Sequence, residues 1–169
     1  MSHRRLTALA LCTTLALAIY AVESAIPPLV PIPGIKLGLA NIVTLILLRH
    51  TSLKDAALVT GARTLLSAVL FGQLLSLLYS AAGAIFSLTL MYLVNRLLKN
   101  RYPYLTGAVG GLAHNAGQLL TALALTATPG VLTYLPFLVL AGILTGLFTG
   151  FCAFYGDKYL LRHLRWLKD

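Results

Sequence analysis

Eleven of the 13 Lys and Arg residues fall in four short clusters, and long apolar stretches separate them. The clusters are Arg4/Arg5, Arg49/Lys54, Arg96/Lys99/Arg101 and Lys158/Arg162/Arg165/Lys168. Basic loops of membrane proteins stay on the cytoplasmic side, so six crossings with both termini in the cytoplasm would put every cluster on that side. The pattern predicts an all-α, multi-pass integral membrane protein. Its spans are expected at about 6–22, 37–48, 56–78, 83–96, 105–126 and 132–155, forming a single transmembrane domain over 1–169.

Composition agrees. A 59% hydrophobic share and a mean hydropathy of +0.87 exceed what a soluble domain of 169 residues needs for its core. The net charge of +9 borders apolar spans and forms no continuous basic face. Anionic lipid headgroups therefore explain it better than nucleic acid. Cys12 and Cys152 lie in apolar segments without metal-ligand spacing and read as packing residues. The basic start followed by an apolar run resembles a signal peptide. No clean cleavage site follows, and the segment is read as a retained first helix.

Three spans carry marks of their own. In span one, Ala10, Thr14 and Ala18 recur every fourth position, which leaves a groove for a close helix neighbour. The external loop after it holds Pro27, Pro28, Pro31 and Pro33, which favour a stiff extended path. Span two has about twelve residues, or roughly 18 Å, short of the ~30 Å hydrocarbon core. It must start below the outer surface, and non-helical backbone at that depth has to be buried or line a cavity. An outward-facing pocket under the proline loop follows from this. A tight external turn is expected near Tyr79 to Gly83. Gly142, Gly146 and Gly150 in span six form a close-packing stripe, and a basic amphipathic tail from Lys158 to Lys168 is expected along the inner interface.

Polar side chains at bilayer depth need a partner or a purpose, because each ionisable one costs about 2.5 to 3.5 kcal/mol on insertion scales. Glu23 and Lys36 bracket the proline loop, either as a mutual salt bridge or in contact with a bound solute. Asn41 either cross-links helices or faces the pocket, and Gln73 and Tyr79 share that ambiguity. Arg63 either snorkels to the inner surface or pairs structurally, or it meets an anion inside the bundle. His114 and Gln118 share a helix face, with Asn115 offset by about 100°. They read as hydrogen-bonded structure or as pocket lining. Three cationic or potentially cationic groups (Lys36, Arg63, His114) face one interior acid, Glu23, which points to an anionic or strongly hydrogen-bonding small solute.

Several chemistries lack their residues. The four acids, Glu23, Asp55, Asp157 and Asp169, are scattered, whereas a Mg²⁺-bridged diphosphate site needs clustered carboxylates. No phosphate-binding Gly-rich loop with Lys and no GxSxG motif occurs. The expectation is a non-catalytic protein with neither metal nor cofactor.

Glu23-Ser24 followed by PGIKLGLANIVTL (33–45), and later GGLAHNAGQL (110–119), resemble the Gx transporter family, also labelled heptaprenyl diphosphate synthase component I. The resemblance covers nearly the whole chain, including the Arg63 region and Tyr79-Ser80. That family looks related to the substrate-binding S components of energy-coupling-factor importers. The resemblance implies a six-helix protein that binds a vitamin or cofactor precursor from outside. Its implied partners are a transmembrane coupling subunit and cytoplasmic ATPases. Ala10/Thr14/Ala18 is similar in kind to the alanine-rich face that meets the coupling subunit, with Thr14 departing from strict Ala-xxx-Ala spacing. The other family label implies a non-catalytic membrane partner of isoprenoid or quinone synthesis, since the aspartate-rich motifs of prenyl diphosphate synthases are missing.

Overall fold

The computed structural model describes residues 3–27, 35–71 and 74–164, with the side chains of 74 and 158–164 excepted. Among these residues the fold is all-helical. The helices are α1 (His3–Ser24), α2 (Asn41–His50), α3 (Leu53–Phe71), α4 (Leu74–Leu97), α5 (Pro103–Thr126) and α6 (Leu135–Leu164). A 3₁₀ segment, Pro129–Tyr134, leads into α6. Three segments are long and apolar enough to cross a membrane: His3–Ser24, Leu75–Leu97 and Pro129–Asp157. The other three helices fall short for different reasons. α2 has only ten residues, α3 carries Lys54, Asp55 and Arg63, and α5 holds the polar segment from His114 to Gln118.

Several sequence expectations change. Tyr79 to Gly83 is not a turn but lies within α4, because nothing in Tyr-Ser-Ala-Ala-Gly breaks a helix and one glycine is tolerated there. The α3–α4 connection falls at residues 72–73, outside the described residues. α2 begins at Asn41 rather than 37, since Gly38 sits at φ +80°, a left-handed conformation that ends in a short turn. Backbone at the expected interfacial tail continues α6 without a break to Leu164. The prolines Pro28, Pro31 and Pro33 lie outside the described residues.

α5 is the axis of the bundle, with its most extensive packing against α6 and α4. Glycines make the α5–α6 crossing close. A β-carbon on Gly111 would overlap the Gly142 carbonyl oxygen, and one on Gly107 the Gly146 carbonyl oxygen. The stripe Gly142/Gly146/Gly150 thus meets Gly107 and Gly111 backbone to backbone, as small-residue stripes in membrane helices do. Short α2 touches all five other α-helices and buries Val43, Leu45, Leu47 and Leu48 in the main apolar cluster.

Ion pairs and hydrogen bonds bring Arg5, Asp55, Arg49, His50, Asn100 and Asp157 to one end of the bundle. Arg5 reaches Asp55, next to Lys54, at 2.7 Å. Arg49 donates to Asp157, next to Lys158, and to the Asn100 carbonyl, between Lys99 and Arg101. Asn100 returns a hydrogen bond to the Arg49 carbonyl, and His50 Nε2 lies 2.5 Å from Asp157 Oδ1. This common end is what one-sided basic loops require. Asp157 is the shared acceptor, so Asp157→Ala is expected to loosen the α2–α6 junction by about 2 kcal/mol. Detergent-unfolding midpoints measure it, and an unchanged midpoint would remove the latch from the stabilising interactions.

Candidate functional site

Opposite the basic end, the polar residues of five segments converge around the start of α2. The last turn of α1 supplies Glu23, which is 4% exposed. Its carboxylate accepts the backbone N–H of Gly38 at 2.7 Å and of Leu39 at 2.9 Å. The first N–H groups near a helix start have no partner within the helix, and a carboxylate is their natural acceptor. Glu23 therefore binds α1 to α2 through the main chain. The salt bridge with Lys36 does not form. Lys36 Nζ instead donates to Ser24 Oγ at 2.5 Å and sits 3.8 Å from the centroid of the Tyr20 ring, a cation–π contact.

α5 enters through Gln118 and His114. Gln118, fully buried, accepts the Lys36 backbone N–H on Oε1 at 3.2 Å, and its Nε2 has no partner among the described residues. The imidazole of His114, 2% exposed, is wedged between two glycines. A β-carbon on Gly38 would stand 2.6 Å from His114 Cδ2, and one on Gly83 of α4 would stand 2.7 Å from Cε1. Both ring nitrogens lack a hydrogen-bond partner among the described residues. The Gly83 backbone lies close enough to interact with the ring.

Arg63, on α3, does not snorkel: it is 3% exposed. Its Nε and Nη2 are buried without a partner among the described residues. Glu23, Tyr20 and His114 lie within its electrostatic reach. Asn41, in the first turn of α2, leaves its Oδ1 buried without a partner among the described residues, and no side chain caps the helix.

The remaining expected site residues lie elsewhere. Asn115 turns to α6, where its Nδ2 donates to the Leu138 carbonyl at 2.7 Å. Tyr79 packs in an apolar cluster with Ile35, Leu119, Val131 and Leu138. Gln73 lies outside the described residues. Ala10, Thr14 and Ala18 are all exposed, so no described helix fills their groove.

Gly38, Gly83 and Tyr20 were missed from the sequence. An isolated glycine in an apolar helix was the available signal for Gly83. A separate cleft of about 340 Å³ lies at the basic end, lined by Leu48, Tyr92, Asn95, Arg96, Lys99 and Asn100.

Residues 35–45 and 110–119, which contribute to this site, fall within the segments that carry the family resemblance. A family model described as heptaprenyl diphosphate synthase component I matches residues 12–155, most of the chain. The chain belongs to this family. The match takes in Glu23, Lys36, Asn41, Arg63, His114 and Gln118, so the converging site lies wholly inside the family's matched region. No curated protein and no solved structure matches the chain.

Proposed function

We propose that this chain is a substrate-binding, S-component-like subunit of an energy-coupling-factor-type importer for a small anionic or polar cofactor precursor. One observation carries the reading. Arg63, Asn41 and Gln118 bury polar atoms that no described residue satisfies, all around the start of α2. Orphaned polar atoms at such depth are costly, and a bound solute would satisfy them. Six crossings with both termini inside would carry that solute-facing end outward and leave the basic end in the cytoplasm.

The exposed stripe Ala10/Thr14/Ala18 supports a partner in the membrane, a transmembrane coupling subunit, with ATPases below it. On this reading the chain is not an enzyme and supplies no energy. It binds and reorients, and the differential affinity of its two states is set by partners.

Native mass spectrometry of the mildly purified protein tests this. A retained small molecule is expected, lost on Gln118→Leu. Liposomes holding the protein alone are expected to bind that solute without concentrating it. Concentrative uptake by the isolated chain would refute the coupling.

The family description favours a second reading, a non-catalytic membrane partner in heptaprenyl diphosphate or isoprenoid-quinone synthesis. That reading predicts co-purification with a soluble prenyltransferase and no retained solute.

A further inference from the structure

Among the cations of this bundle Arg63 stands apart. Arg49 and Arg5 pair with carboxylates, and Lys36 pairs with Ser24 and Tyr20. Arg63 has the deepest burial and no partner on Nε or Nη2 among the described residues. Those two nitrogens form one edge of the guanidinium. Their N–H bonds run nearly parallel, and that edge matches the two oxygens of a carboxylate.

The protein's own candidate for the edge is Glu23, and it is already engaged. Its Oε1 and Oε2 each take a backbone N–H, from Gly38 and Leu39. Glu23 balances one positive charge from a distance and leaves the fork open. Arg63 and Lys36 carry two positive charges against this one acid, so one charge in the site is uncompensated. A monoanion closes that balance, whereas a dianion such as hydrogen phosphate would overshoot it. The amide Nε2 of Gln118 adds a further unpaired donor to the site.

We infer that the site recognises its solute through a monoanionic carboxylate, held at two points by Nε and Nη2 of Arg63. The inference rests on the solute-binding reading above and narrows it to carboxylic acids.

The test uses the full chain in phosphatidylcholine nanodiscs with ¹⁵N-labelled arginine. Acetate, benzoate and hexanoate are the probes, with benzamide, benzylammonium and inorganic phosphate as contrasts. At least one carboxylate is expected to move a single arginine Nε–H resonance downfield and to raise the melting temperature. The contrasts are expected to do neither. Arg63→Lys keeps the charge but loses the fork. It is expected to remove that resonance and weaken carboxylate binding about tenfold or more.

Should Arg63→Lys fail to fold, the comparison of probes on the unaltered protein still decides, with Lys36→Gln lowering affinity as the second variant. No Nε–H response to any carboxylate, or a stronger response to phosphate or benzylammonium, overturns the inference. A retained solute without a carboxylate would also overturn it while leaving the solute-binding reading intact. Absence of both a retained molecule and any probe response would remove both.

Discussion

Gly111→Val is expected to destabilise the bundle by about 3 kcal/mol or more, the upper range for overpacking a tight interface. A side chain there would meet the Gly142 carbonyl oxygen, which belongs to the backbone of α6 and cannot rotate away. Relief requires α5 and α6 to separate along a seam held by Gly107, Gly142, Gly146 and Gly150. The companion change Gly61→Ala has open space around it, with nothing within 4 Å of the added carbon. It is expected to be neutral or to stabilise α3 by up to about 1 kcal/mol through helix propensity alone. Unfolding by sodium dodecyl sulfate in mixed micelles, followed by far-ultraviolet circular dichroism, compares the two. Equal behaviour of both variants would mean that the close α5–α6 seam is not a source of stability.

A loss of similar or greater size, about 4 kcal/mol, is expected for Glu23→Ala. Two backbone donors at the start of α2 lose a charged acceptor, and each such bond contributes about 1.5 to 3 kcal/mol. The buried guanidinium of Arg63 simultaneously loses the only acid within its electrostatic reach among the described residues. The second cost can be isolated. Arg63→Met in the Glu23→Ala background is expected to restore part of the lost stability, because an uncompensated buried charge goes with it. A double-mutant cycle on the same unfolding assay reads this coupling. Strictly additive losses would show that Glu23 acts only on the main chain and not on Arg63.

The helical architecture was legible because charge and hydropathy are written directly in side chains. Arg5–Asp55, Arg49–Asp157 and Arg49–Asn100 meet at one end of the bundle, beside basic residues of the first three clusters. The close-packing stripe of span six was legible for the same reason, since glycine at four-residue spacing has few other uses. The boundary between α3 and α4 was not. Tyr79 to Gly83 looks like a turn only because glycine and serine occur together, and in α4 that glycine makes room for the His114 ring.

Within the site, Glu23, Lys36, His114 and Gln118 were legible as polar groups in need of partners, while the partners themselves were not. Glu23 bonds to main-chain N–H groups, and main-chain donors leave no trace in residue identity. Lys36 found Ser24 and the face of Tyr20, neighbours that depend on how α1 ends. Asn115 was grouped with His114 by adjacency, yet its offset around the helix directs it to Leu138 of α6.

The brevity of α2 bears on how the chain reaches its place in lipid. Ten residues rise only about 15 Å, too little for a translocon to accept as an independent passenger. Its two ends are fastened by groups on different helices, Glu23 of α1 just before its start and Asp157 of α6 at its end. Asp157 is separated from Arg49 by 108 residues of chain, so it is synthesised long after α2. The contacts of Arg49 and His50 with Asp157 therefore form only once α6 has been synthesised, so α2 gains its second anchor later than its first.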